Sequence, residues 1–149
     1  MKLAIGCDHG GVKLKEYIVD TLKDIKFIDA GLENFDGDDY PDFAVMVAKK
    51  VLSGEADSGV LICGTGIGMS IAANKIDGIR CALIHNEEEA HLAKEHNDAN
   101  VIALSKKCDG NLAVLMIESY VKAIRDDSER HVRRRKKVID IENGAYDEL

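Results

Sequence analysis

Gly59-Val60-Leu61-Ile62-Cys63 runs directly into Gly64-Thr65-Gly66-Ile67-Gly68, and then into Met69-Ser70-Ile71-Ala72-Ala73-Asn74. The first five residues are a continuous apolar run of strand length, which reads as a strand buried on both faces. The glycines then open a helix that runs through Ala72, Ala73 and Asn74. A strand, a glycine-rich turn and a helix in that order form the first half of a βαβ unit, the building block of a parallel sheet.

The same alternation extends in both directions from this stretch. Lys2 to Cys7 predicts the first strand, and Val12 to about Asp24 a helix with Val12, Tyr17, Ile18 and Leu22 on one face. Phe27 to Ala30 predicts a second short strand closed by Gly31, followed by a long polar loop from Glu33 to Asp39. Pro41 suits the start of a helix reaching Leu52. Beyond the glycine loop, Ile79 to Ile84 reads as a fourth strand. Glu87, Glu88 and Glu89 then favour a helix start through the helix dipole. Asn100 to Leu104 is a fifth strand, followed by a helix from about Asn111 to Ile124 and a basic helix from about Glu129. The expected fold is α/β: a single doubly wound, Rossmann-like three-layer domain over residues 1–149, with a five-stranded parallel sheet and a C-terminal helix.

Composition narrows the setting. At 149 residues, with 46% hydrophobic and 32% charged positions, the chain fits one soluble domain with a real core. It contains no apolar run of ~18 residues, which excludes a membrane span. The N-terminal apolar run ahead of Cys7 is too short for a signal peptide. Cys7, Cys63, Cys81 and Cys108 are scattered with no CxxC pair, which argues against a zinc site or disulfide framework and for a reducing cytoplasm. The net charge of −7 disfavours nucleic acid as a partner. The basic run Arg130 to Lys137 also lacks the aromatic residues that nucleic-acid binding segments interleave.

In doubly wound sheets ligands bind beyond the carboxyl ends of the strands. Asp8-His9 after strand one, the loop after strand two, and Cys63 with its glycines after strand three lie there. Backbone N–H groups of Gly64, Gly66 and Gly68 can converge on an anion, or the glycines can simply make a tight turn. The spacing is not the G-x-G-x-x-G dinucleotide fingerprint, since Met69 fills the third slot, and no Walker-type Gly-Lys-Ser/Thr follows. Cys63 is either one more buried apolar cysteine or a thiol whose thiolate the adjacent helix N-terminus stabilises, fit to act as base or nucleophile. Asp8 reads as a helix cap or a sugar-handling carboxylate, and His9 as a surface imidazole or a phosphate contact. His96-Asn97-Asp98 reads as a helix-end turn or as site residues. Arg130 and Arg134, four apart on one helix face, can grip a phosphate or form part of a solvated charged face.

Six segments occur in order: Gly6-Cys7-Asp8-His9-Gly10-Gly11, Asp39-Tyr40-Pro41-Asp42, Ile62 to Lys75, Gly78-Ile79-Arg80, His96 to Asn100, and Arg130-His131. Together they resemble the type B ribose-5-phosphate isomerases, whose relatives include galactose-6-phosphate isomerase subunits. The resemblance covers residues 1 to about 140. It implies an aldose–ketose isomerisation of a sugar phosphate through a cis-enediolate, as in pentose phosphate metabolism, with neither metal nor cofactor. It further implies that Cys63 is the base and that Gly64, Gly66 and Gly68 supply donors for the enediolate beside Thr65. Asp8 and His96 would assist ring opening, Tyr40 would line the pocket, and Asn97 would bind sugar hydroxyls. His9, Arg130 and Arg134 match phosphate-binding positions.

Two departures fall at the phosphate end. Lys107 stands where relatives usually carry an arginine, giving a point charge instead of a bidentate fork. Ser128-Glu129 replaces a glycine pair. The choice among ribose, allose and galactose phosphates is therefore open at this stage.

Cys63 follows a strand whereas His96 precedes one, which puts them at opposite sheet edges, about the ~17–20 Å length of a typical strand apart. If both serve one sugar, His96 comes from a neighbouring subunit, so a homodimer or dimer of dimers with shared sites is expected. Two other classes remain: a hydrolase or acyl transferase with a Cys63–His96 pair, and a phosphate-binding module without turnover.

Overall fold

The computed structural model describes residues 1–147. Its elements in chain order are β1 (Lys2–Cys7), a 3-10 turn (His9–Gly11), α1 (Val12–Thr21), β2 (Lys26–Asp29), α2 (Tyr40–Leu52), β3 (Ser58–Cys63), α3 (Ile67–Ala73), β4 (Cys81–Leu83), α4 (Glu87–Glu95), β5 (Val101–Ser105), α5 (Gly110–Lys122) and α6 (Glu129–Glu142). All pairings are parallel, in the order β2-β1-β3-β5-β4. The chain winds one way from β1 to β2 and the other way from β1 to β3, so the topological switch lies between β1 and β3. In open sheets of this kind ligands bind at that point, beyond the carboxyl ends of the strands.

The pleat sorts the core into two layers. Leu3, Ile5, Val60, Ile62, Ile102 and Leu104 face α1, α4 and α5, where Leu14, Ile18, Ala90, Ala93, Met116 and Ile117 meet them. Ala4, Leu61, Cys63, Val101 and Ala103 face α2 and α3, against Phe43, Val47, Ala48, Met69 and Ala73. Successive strand residues point to opposite faces, so Ile62 and Cys63 necessarily belong to different layers. Each fully buried Leu or Ile here stabilises the fold by about 1.5–3 kcal/mol. Among the described residues no helix is long and apolar enough to cross a membrane.

Three expectations shift in detail. The apolar face of α1 is centred on Leu14 and Ile18, whereas Tyr17 is 42% exposed, lies over Gly110 and donates to Asn111 Oδ1 at 2.7 Å. The helix ends at Thr21 because Leu22 leaves helical geometry. β4 is only Cys81–Leu83, since Ile79 closes a turn onto Ile76 after Gly78 and the Arg80 N–H is taken by Asn100 Oδ1.

Candidate active site

Asp8 and Cys63 meet at the switch point. The Asp8 N–H donates to the Ile62 carbonyl at 3.2 Å, which continues the β1–β3 ladder and sets Asp8 beside Cys63. Asp8 caps the following turn by accepting from the Gly10 N–H at 3.0 Å. Cys63, 4% exposed, ends β3 on the α2/α3 side. The other cysteines are held protonated by burial: Cys7 is pushed up to about 11, Cys81 to about 12, and Cys108 upward as well.

The glycine loop has the backbone that its sequence requires. Gly66 adopts φ +77°, and a Cβ there would lie 2.9 Å from the Leu104 carbonyl carbon and 2.7 Å from Leu83 Cδ1. The Ser105 hydroxyl donates to the Gly64 carbonyl at 2.9 Å, and the Lys106 N–H to the Cys63 carbonyl at 2.8 Å, so the end of β5 braces the loop. Thr65 Oγ1 accepts from the Ile67 N–H at 3.2 Å. Among the described residues the N–H groups of Thr65, Gly66 and Gly68 have no acceptor and are available to an anion. The Tyr40 ring, from the start of α2, lies on Gly68, where a Cβ would stand 2.6 Å from the ring.

Gly66→Ala is accordingly expected to damage both stability and turnover. The left-handed backbone costs an L-residue about 1–2 kcal/mol, and forcing a methyl against strand backbone adds about 1–3 kcal/mol. A urea midpoint and activity both equal to those of wild type would show that the loop tolerates the side chain.

Two basic residues follow β5. Lys107 is exposed, with its N–H on Ser105 Oγ at 3.1 Å. Lys106, not singled out by the sequence reading, lays its side chain over Gly10, with Nζ 3.0 Å from the position a Cβ there would take. His9 also stands at this edge, its ring bonded to Asp38 through Nδ1 at 2.8 Å.

The remaining expected residues lie at the opposite, amino edge. His96 caps the end of α4 ahead of β5, whose first and last Cα atoms are roughly 13 Å apart at ~3.3 Å per residue. The far end of β5, Ser105, is the residue paired with Cys63. One chain therefore does not bring His96 and Cys63 together. His96 and Asn97 instead line a cavity of about 720 Å³ with Asn74, Lys75, Arg80, His131 and Arg134. Arg130 stands exposed one helical turn before Arg134.

This edge is rigidly built. Asp98 has φ +47°, the only positive φ of a non-glycine among the described residues, and it pairs with Arg80, Lys94 and Arg125. Asn100 holds Gly78 and Arg80, while the buried Tyr120 hydroxyl donates to the Ala99 carbonyl at 2.6 Å. The turn that presents His96 and Asn97 is thus fixed from three sides.

His131 enters the sequence reading only beside Arg130, inside a basic run, with no role of its own. It is 4% exposed and stacks on His96 with ring centroids 4.3 Å apart, and its Nε2 has no hydrogen-bond partner among the described residues. Burial, and then the charge of His96, lower its pKa, against the opposing field of the Asp126 carboxylate 3.5 Å from Nε2. Among the described residues no group of three His, Cys, Asp or Glu side chains is placed to hold a metal ion.

The chain matches the family profile described as Ribose/Galactose Isomerase over residues 3–138. It is 41% identical over 144 residues to ribose-5-phosphate isomerase B of Escherichia coli, covering 95% of this chain and 96% of that one. The solved structure of Clostridium thermocellum ribose-5-phosphate isomerase B superposes with a TM-score of 0.90 at 45% identity, covering 97% of this chain and 99% of the other. That of ribose-5-phosphate isomerase B from Mycoplasma genitalium, with bound ribulose-5-phosphate, gives 0.86 at 39% identity over 95% and 96% of the two chains.

Proposed function

This chain belongs to the ribose/galactose isomerase family, and from that premise we propose that it interconverts ribose 5-phosphate and ribulose 5-phosphate through a cis-enediolate. One observation carries the reading: Asp8, Cys63 and the open N–H groups of the glycine loop stand together at the carboxyl ends of β1 and β3.

In this reading, Cys63 Sγ as thiolate takes the proton from C2 of the open-chain aldose, and the electron pair moves into a C1–C2 double bond. Negative charge grows on O1, within reach of the Thr65, Gly66 and Gly68 N–H groups. Donors fixed in place before the reaction stabilise such charge without reorganising. The thiol returns its proton to C1 and the O2 proton passes to O1, leaving a ketone at C2 and regenerating the thiolate. The sugar gains and loses no hydrogen in net, so the reaction calls for no oxidant or reductant.

The remaining groups come from a second copy. His96 opens the furanose ring together with Asp8, Asn97 holds hydroxyls, and Arg130 and Arg134 meet the phosphate opposite His9 and Lys107. Each amino-edge cavity then faces the carboxyl edge of its partner in a homodimer, alone or within a dimer of dimers. The four free thiols fit a reducing cytoplasm as its compartment.

Ketose formation from a panel of ribose, allose and galactose phosphates tests the reaction, with ribose 5-phosphate expected to be turned over fastest. No ketose from any aldose phosphate would remove the assignment.

Arg130→Ala and Arg134→Ala are each expected to lose one charge-assisted contact of ~1.5–3 kcal/mol, raising KM roughly ten- to a hundredfold. Inorganic phosphate loses its grip in parallel. Unchanged KM and unchanged phosphate inhibition in both variants would show α6 to be a solvated face only.

A further inference from the structure

The polar loop between β2 and α2 holds one acidic side chain that is not solvated. Asp38 has a side chain only 2% exposed, although Glu33, Asp36 and Asp39 around it are all exposed or half-buried. Its Oδ1 accepts the His9 backbone N–H at 2.8 Å and faces His9 Nδ1 at 2.8 Å. Its Oδ2 accepts from Asn34 Nδ2 at 2.9 Å and from the Phe35 N–H at 3.3 Å. Asn34 is tied in turn to the Cys7 carbonyl at 2.8 Å, so the loop is anchored to the end of β1.

A carboxylate taken out of water needs hydrogen bonds and a compensating charge. Its four hydrogen-bond contacts meet the first need. Among the described residues His9 is the only potential cation in ion-pair contact with Asp38, so the second falls to the imidazole. We propose that Asp38 is the positioning residue of His9, clamping its ring through Nδ1 and holding it as an imidazolium whose Nε2–H is left for the substrate phosphate. This rests on the reading of His9 as a phosphate contact.

An ionised carboxylate only accepts, so Nδ1 must donate, and the proton that comes and goes is the one on Nε2. The His9 ring is 43% exposed, which leaves it reachable from solvent. The charged groups around it are Asp38 and Asp36 from the loop, Asp8 at the end of β1, and Lys106 from the β5–α5 connection, which lies over Gly10. Three negative groups against one positive favour the cation. The hydrogen bond that His9 donates to Asp38 is the largest influence raising the His9 pKa; partial burial opposes it, and the fields of Asp38, Asp8 and Asp36 add to it. For Asp38, burial works against ionisation, but the bonds from Asn34, His9 and Phe35 outweigh it and hold the carboxyl at about 2, below its ordinary 3.8. The pair therefore stays charged from about pH 2 up to the raised His9 value. It is lost on the acid side as Asp38 protonates and on the alkaline side as His9 deprotonates.

Ring-nitrogen NMR of the full-length enzyme reads this directly, without substrate. In wild type, His9 should titrate above the ordinary value of ~6.5, and its neutral form should be the Nδ1–H tautomer. Asp38→Asn should lower that midpoint. It should also weaken inhibition by inorganic phosphate about three- to tenfold at neutral pH, as a charge-assisted bond becomes a neutral one, with KM changing more than kcat. A wild-type midpoint at or below the ordinary value, or an Nε2–H tautomer, overturns the proposal even if the variant does not fold. So does a folded Asp38→Asn enzyme with an unmoved midpoint. If the midpoint drops but phosphate inhibition is unchanged in both Asp38→Asn and His9→Gln, the fault lies instead in the reading of His9 as a phosphate contact.

Discussion

Cys63→Ser is expected to stop turnover while leaving sugar-phosphate binding near that of wild type. General-base catalysis contributes about 10²–10⁴-fold, and a hydroxyl beside the glycine loop is a far weaker base than a thiolate, so kcat should fall by at least that range. Binding is expected to survive because the proposed phosphate contacts, Arg130, Arg134 and His9, lie elsewhere in the assembled site. The substitution removes no volume that the α2/α3 layer needs, and Cys63 makes no side-chain hydrogen bond among the described residues. A loss of kcat with binding intact is the signature of a group used only in the chemical step. Ketose formation would be followed in heavy water, where proton transfer through an exchangeable thiol leaves deuterium at C1 of the product. A variant within a few-fold of wild-type kcat would remove Cys63 from the role of base.

How much of this site was readable in the chain depended on the range of the interactions. β1 and β3 were legible to within one residue because a strand covered on both faces carries an uninterrupted apolar run. The glycine loop was legible because its backbone conformation is local, and φ +77° at Gly66 needs no distant partner to specify it. β4 was overread, because Ile79 and Ile84 are buried without belonging to the strand and apolar character alone does not mark where pairing stops. Asp38 was invisible for the opposite reason. It sits in an acidic loop in which any of four residues had an equal claim, and only contact with His9, 29 positions away, singles it out. Lys106 and Lys107 differ by one step along the chain after β5, and which of them overlies Gly10 follows from that geometry, which composition does not encode. His131 was legible only as the neighbour of Arg130 in a charged helix, with nothing to mark it as buried. The stack on His96, 35 positions earlier, is what buries it.

Mixing two dead enzymes is expected to return activity. Asp8, Cys63 and the glycine loop stand at the carboxyl edge of the sheet, and His96, Asn97 and Arg134 at the amino edge, with β5 lying between them. If one sugar phosphate is served by both sets, each site takes the first from one chain and the second from its twofold partner. A twofold interface is self-complementary, so a dimer has two such sites. Cys63→Ala and His96→Ala, denatured together in equal amounts and refolded, pair at random, and about half the dimers are mixed. In a mixed dimer one site carries both lesions and the other carries neither. Roughly a quarter of wild-type activity should therefore return, whereas each variant refolded alone should return none. Neither substitution touches the Asp98, Asn100 and Tyr120 contacts that hold the amino-edge turn, so both chains are expected to fold and to pair. A mixture that stays inactive although native mass spectrometry finds the mixed dimer would mean that each site is built within one chain. The His96 turn would then have to swing the length of β5 to reach Cys63, against the ion pairs and hydrogen bonds that fix it.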